Sequence, residues 1–237
     1  MWSGPRNIST AMMRAFENRP DTVVMDEPFY AAYLRDTGLD HPMREAILAD
    51  QENHWEKVVA LCTSPLSDGV TLSYQKHMSH HMLDHYELDW LPQLRHCFLL
   101  RDPARVLMSY EKKRERPTLN DIGLEQQVNL YKRICSQATV APMVIDSADF
   151  LQQPRAYLEQ LCAYIDVPFS TRMLSWPAGK RDSDGIWAAH WYNRVWLSTE
   201  FEAPRTAPIT LAPHLRAVYE KAKPLYDFLY AKRVQIG

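Results

Sequence analysis

With 237 residues, 46% of them hydrophobic, and 7 tryptophans, the chain can bury a full core, and intrinsic disorder is excluded. Lys and Arg total 27 against 29 Asp and Glu, a formal charge of −2, which excludes a general nucleic-acid binder and leaves room only for a small anion held by a local basic cluster. No apolar run reaches the length of a membrane span and no leader-type apolar segment opens the chain, so a soluble, cytoplasmic protein is expected.

The chain begins with Met1-Trp2-Ser3-Gly4-Pro5-Arg6-Asn7-Ile8-Ser9-Thr10, a glycine-containing turn that runs into a helix-forming stretch, Ala11 to Glu17. If Trp2 ends a strand, the amides of the turn and of the helix start converge beside Arg6. Unpaired N–H groups and the helix dipole then favour a phosphate. The Gly-Lys-Ser/Thr ending of nucleoside triphosphatases is missing, with Ile8 where its glycine would stand. The commoner reading of such a run is an ordinary turn at Gly4-Pro5 and an ordinary cap at Ser9 or Thr10.

Thr22 to Met25 reads as a short buried strand, stopped by Asp26-Glu27-Pro28 ahead of a helix from Phe29. Asp26 is by default an N-cap. Glu27 follows the carboxyl end of a strand, where ligand crevices of open α/β sheets form, as a base or a partner for Arg6. Glu45 to Cys62 is helical, with a possible break at Asp50 to Asn53. Val70 to Gln75 alternates as a strand, and Lys76-His77 follows it. A histidine there is a natural proton acceptor, and the lysine can stabilise charge on transferred oxygens; the bland readings are a solvated lysine and a strand-capping histidine. His80 is the reserve candidate. His77, His80 and His81 lack the partners a zinc site needs, so no metal is expected.

His96 to Leu100 is the clearest central strand, closed by Arg101-Asp102-Pro103 before a helix from Ala104 to Lys113. Arg101 points from the strand end toward the crevice, Asp102 caps, and Ser109 sits about one and a half turns into the helix. Glu111 to Arg116 reads as an exposed charged helix end, Ile122 to Ala138 as a helix, Met143 to Asp146 as the last core strand and Pro154 to Ile165 as another helix. Gly179 to Gly185, carrying Lys180 and Arg181, reads as a mobile polar loop suited to close over an anion; a plain surface loop is the alternative. Leu211 to Tyr230 supplies a last helix, kinked or divided at Pro224. Cys62, Cys97, Cys135 and Cys162 have no metal or redox spacing and read as reduced core or near-core thiols.

In combination these segments resemble the sulfotransferases that use 3′-phosphoadenylyl sulfate, and more closely the bacterial proteins that begin with a Ser-Gly-Pro-Arg-Asn-x-Ser-Thr loop. The resemblance spans nearly the whole chain. It implies that Ser3 to Thr10, with Gly4, Pro5, Arg6, Asn7, Ile8, Ser9 and Thr10, holds the 5′-phosphosulfate. It implies further that Arg101 and Ser109, in a segment running to Tyr110, bind the 3′-phosphate, and that Gly179 to Trp187, through Lys180 and Arg181, covers the nucleotide. Asp26-Glu27-Pro28 is similar to an acidic segment whose glutamate serves as base, and Lys76-His77 to the neighbourhood of a catalytic histidine. Two departures stand out: Arg6 where the family loop commonly has lysine, and Ile8 where it has glycine.

The expected fold is α/β, a three-layer α/β/α sandwich with a mostly parallel central sheet of the P-loop nucleotide-binding type, in one domain over 1–237. Residues 175–200 form the flap and 205–237 a C-terminal helical segment. The core is expected to hold Val23, Val24, Leu72, Phe98, Leu99, Val144 and Ile145. The expected activity is sulfuryl transfer to a hydroxyl or amine of a small-molecule acceptor, without metal, nucleic acid or membrane. His77 is the expected base beside Lys76, with Glu27 positioning the acceptor and Arg6 on the transferred group. A P-loop phosphotransferase and a non-catalytic nucleotide-binding or interaction protein are the alternatives.

Overall fold

The computed structural model describes residues 1–111, 116–204 and 208–236. Five strands form one all-parallel sheet: β1 (Trp2–Ser3), β2 (Thr22–Asp26), β3 (Leu72–Met78), β4 (Cys97–Leu100) and β5 (Met143–Asp146), in the order β2-β3-β1-β4-β5. β1 is only two residues long, yet it lies at the centre, with Trp2 level with His77 on one side and Phe98 on the other. β4 is an interior strand, as the continuous run Cys97-Phe98-Leu99-Leu100, buried throughout, requires.

Strand alternation divides the core between the two faces. Trp2, Phe98, Leu100 and Val144 face a layer that includes α4 (Trp55–Cys62), α5 (Pro103–Glu111), α7 (Leu124–Gln137) and α12 (Arg216–Tyr230). Tyr74, Leu99, Met143 and Ile145 face α1 (Ser9–Glu17), α8 (Ser147–Gln152) and α9 (Pro154–Tyr164). Met12, Met13 and Phe16 of α1 are fully buried there, so Phe16→Ala would cost about 3–5 kcal/mol.

Several boundaries moved. β3 runs through Met78, so Lys76 and His77 lie inside the strand instead of after it. The helical stretch at 45–62 does divide, into α3 (Arg44–Asp50) and α4, and the one at 122–138 is preceded by α6 (Leu119–Ile122) across a left-handed Gly123. Because β2 is an edge strand, Val23 is 45% exposed, and Val24 and Leu72 are only partly buried; the other four expected core residues are fully buried. Cys135 is exposed, unlike the other three cysteines, because it faces outward from α7. Pro224 is accommodated within α12, which starts at Arg216. Most of the charged run 111–116, the end of the helix expected to reach Lys113, and residues 205–207 and 237 lie outside the described residues.

Candidate active site

Two different surfaces form at the carboxyl edge of the sheet. The first lies over β1 and β4. Gly4 leaves β1 so close to the neighbouring backbone that a Cβ would come within 2.4 Å of the Ile122 carbonyl oxygen, and only glycine fits. Asn7 then ties the turn down. Its Nδ2 donates to the Leu99 carbonyl at 2.9 Å and its Oδ1 accepts from the Ile8 amide at 2.9 Å. Ile8 is the residue that caps α1, and it brings no side-chain acceptor. Ser9 and Thr10 are therefore the first helical residues and not the caps, and the first-turn amides keep their capacity for an anion.

Arg6 has φ +56°, a left-handed conformation that costs a non-glycine residue about 1–2 kcal/mol. The turn thereby aims its guanidinium at α5, where Nε donates to Ser109 Oγ at 3.1 Å. Arg101, at the end of β4, donates to the carbonyl oxygen of Arg6. Burial depresses the pKa of Arg101, and the neighbouring charges of Arg105, Arg6 and Arg194 depress it further, with Asp102 opposing. Burial likewise lowers Arg6. Like charges gathered around a partly desolvated guanidinium are stabilised by an incoming anion, and bidentate arginine geometry suits phosphate. Arg101 and Ser109, expected together, and Arg6, expected in the neighbouring loop, do meet.

Lys180 and Arg181 do not join them. Lys180 lies over the Trp196 ring at 4.8 Å, and Arg181 faces Glu17 at 3.8 Å while its Nη2 donates to the Pro177 carbonyl at 2.9 Å. Their loop is a latched strap rather than a mobile flap. Asp184 pairs with Arg14, accepts from the Arg181 amide at 3.0 Å and from Trp196 Nε1 at 2.9 Å, and Ser183 bonds Glu17. These contacts hold the strap to the C-terminal half of α1, away from the anion-binding helix start. Gly185 follows, packed so tightly that a Cβ would come within 2.1 Å of the Trp187 ring. The cation of this part of the chain whose charge is felt at Arg101 is Arg194, in α11 (Asn193–Trp196), an exposed side chain paired with Glu202. Nothing in its sequence setting distinguishes it from a surface arginine.

The second surface lies over β2 and β3. Lys76 Nζ donates to Asp26 Oδ1 at 2.7 Å, to Glu27 Oε1 at 2.6 Å and to the Tyr192 hydroxyl. An ammonium has three protons, and these three partners use them all. Tyr192 OH in turn lies 2.9 and 2.8 Å from the two oxygens of Asp26, and the Gly185 amide donates to Asp26 Oδ2 at 3.3 Å. Asp26 is thus the buried hub of an ion cluster, not an N-cap. Burial opposes charge on Lys76, but Asp26, Glu27 and Tyr192 outweigh it and hold the ammonium well above its usual range.

Glu27 is the open member of this cluster. Its side chain is 12% exposed, against 1% for both Lys76 and Asp26. Its φ is +48°, a second strained non-glycine conformation at a strand exit. Burial raises its pKa, the Lys76 charge pulls it back, and the Asp26 charge pushes it up again. A carboxyl whose proton affinity is raised in this way is a stronger base than an ordinary glutamate.

His77 is elsewhere. Neighbouring residues in a strand point to opposite faces, so the sequence neighbour of Lys76 is turned away from it. Its ring stacks on Trp2 at 4.4 Å, its Nε2 lies 3.2 Å from Gln75 Oε1, and its Nδ1 is buried without a partner. Burial drives its pKa far below the ordinary value. The expected pairing of Lys76 with His77 is corrected to Lys76 with Asp26, Glu27 and Tyr192. The reserve candidate His80 is also buried, in a 3₁₀ turn beside Tyr33. Among the described residues no group of three or more His, Cys, Asp and Glu is arranged to hold a metal, and no helix is long and apolar enough to cross a membrane.

A solved structure, the sulfotransferase domain from the curacin biosynthetic pathway, shares the fold with a TM-score of 0.52 over 94% of this chain and 95% of that one, at 15% identity. Two curated Arabidopsis thaliana proteins, branched-chain-amino-acid aminotransferase-like proteins 1 and 2, are 36% and 34% identical over 96% of this chain. The chain spans 40% of the length of each of those relatives. A family model described as a sulfotransferase domain matches residues 1–233, and the chain belongs to that family.

Proposed function

We propose that the chain binds 3′-phosphoadenylyl sulfate and transfers its sulfuryl group to a hydroxyl or amine of a small-molecule acceptor. The observation that carries this reading is the meeting of Arg6, Arg101 and Ser109 beside the uncapped start of α1. That set fits a nucleotide with two separate anionic ends. The amides of the 4–10 turn with Arg6, Ser9 and Thr10 would hold the 5′-phosphosulfate, and Arg101 with Ser109 the 3′-phosphate. The bound donor would supply an activated sulfuryl group and a phosphate leaving group; no side chain needs to become covalently attached.

Glu27 is the base in this scheme, taking the proton of the acceptor hydroxyl or amine as its oxygen or nitrogen bonds to sulfur. Lys76 keeps Glu27 in place and holds its proton affinity in range. The exits of β1 and β2 are separated by β3, two strand spacings or about 10 Å, which leaves room for an acceptor between donor and base. One observation favours a non-catalytic alternative: all three Lys76 protons are engaged, so none is free for a sulfuryl oxygen. Calorimetric titration with 3′,5′-adenosine bisphosphate, without magnesium, tests the donor site. Micromolar binding that Arg101→Ala weakens by roughly 10- to 100-fold is expected, and a folded protein with no binding sinks the proposal. Release of the bisphosphate from the donor across an acceptor screen separates catalysis from binding alone.

A further inference from the structure

We infer that Tyr192, just after α10 (Ala188–Trp191), is a positioning residue for the base: its hydroxyl, held between Lys76 and Asp26, fixes the geometry and the proton affinity of the Glu27 carboxyl. The inference rests on Glu27 as base in the proposed reaction.

The proton count is the core of the argument. The Tyr192 phenol has one proton, which goes to an Asp26 oxygen, and a lone pair, which takes one Lys76 proton. Burial and the Asp26 charge keep that phenol protonated. With its second and third protons on Asp26 and Glu27, the ammonium can neither rotate nor move without losing a bond. Removing the phenol oxygen would leave one ammonium proton unmet inside the protein and take one donor from Asp26, whose oxygens keep only Lys76 and the Gly185 amide. Lys76 would then swing toward Asp26, and its contact with Glu27 would lengthen.

The groups facing Glu27 are Asp26 beside it, Lys76 from β3 and Tyr192 from the segment after α10; the Lys76 charge also adds to the burial that keeps His81 of the following turn neutral. Lys76 and Tyr192 both lower the proton affinity of Glu27, and Asp26 raises it. Loss of the phenol therefore removes the lowering influence of Tyr192 and weakens that of Lys76. The midpoint of Glu27 must rise. The link also reaches the strap, because Asp26 accepts from the Gly185 amide, next to the Asp184 that binds Arg14.

The test is a carboxyl-carbon NMR titration of the full chain labelled at glutamate, with Glu27 assigned by its loss in Glu27→Gln. In Tyr192→Phe the Glu27 midpoint should move up by about half a pH unit or more. Turnover, once an acceptor is in hand, should fall with its acid limb shifted the same way, while affinity for 3′,5′-adenosine bisphosphate stays at the parent value. An unmoved midpoint in folded Tyr192→Phe overturns the inference. If that variant does not fold, the parent protein still decides. A Lys76 ammonium whose protons are all donated exchanges slowly with water, and nitrogen NMR showing the fast exchange of an exposed lysine would overturn it equally. Failure of the parent to bind the bisphosphate would instead remove the functional reading and leave the titration link standing.

Discussion

The two halves of the cleft are built on opposite electrostatic plans. Over β1 and β4, burial and the charges of Arg105, Arg6 and Arg194 depress the proton affinity of Arg101, with Asp102 the opposing charge. Over β2 and β3, one ammonium is enclosed by two carboxylates and a phenol, each within hydrogen-bond reach. The first surface is improved by an arriving anion. The second is complete without a ligand and offers only the edge of Glu27. In the proposed reaction the first surface holds charge and the second moves a proton.

The sharpest way to break the comparison is Glu27→Gln. It should lower turnover at saturating donor by at least about 100-fold, the usual scale of a general base, and leave bisphosphate affinity unchanged by calorimetry. Arg101→Ala should do the converse. Loss of charge-assisted bonds of about 1.5–3 kcal/mol would weaken bisphosphate binding by roughly 10- to 100-fold, and the difference should shrink at high salt.

A pH series probes the neutral region beneath both halves. Burial holds His96 at about 4 against an ordinary 6.5, and it accepts from Trp2 Nε1 at 3.0 Å. The unfolded chain therefore takes up a proton that the folded chain refuses. Stability from this residue is intact above pH 6.5 and lost as pH falls toward 4, by up to about 3 kcal/mol. Urea midpoints across that window should show the fall.

Smaller effects sharpen the picture. Arg6→Gly removes a strained φ of +56° and a like charge beside Arg101, so the melting temperature should rise, by at most about 1 kcal/mol of stability, as bisphosphate affinity drops. His77→Phe should have the least effect on chemistry, with turnover within about two-fold of parent, since the ring packs on Trp2 away from Lys76. A large loss there would restore histidine as the base.

Much of the fold was legible because strands such as Cys97–Leu100 and Met143–Asp146 are continuous apolar runs, buried at every position. Half of the site was legible for a related reason. Arg101 follows β4 directly and Arg6 lies in the turn that leaves β1, and strand ends in a parallel sheet converge. The other half was not, because β3 extends to Met78, three residues beyond its apparent end at Gln75. Inside a strand, adjacency in sequence means opposite faces, so Lys76 and His77 part company. Tyr192 lies in a segment whose aromatics read as packing, and only its tertiary contact with Asp26 gives it meaning. The strap misled for a similar reason: its basic residues suggested an anion, while its acidic Asp184 makes the decisive bond to Arg14.

Gly4 and Gly185 give the cleft an unusual mutational signature. A methyl group at the first would meet the Ile122 carbonyl at 2.4 Å, and at the second the Trp187 indole at 2.1 Å, so even alanine must displace buried structure. In a saturation library selected for function, both positions would be purged as strictly as Glu27 or Arg101. A library sorted only for folded protein would tell them apart. The glycines would be depleted there as well, whereas substitutions relieving the backbone at Arg6 would be enriched.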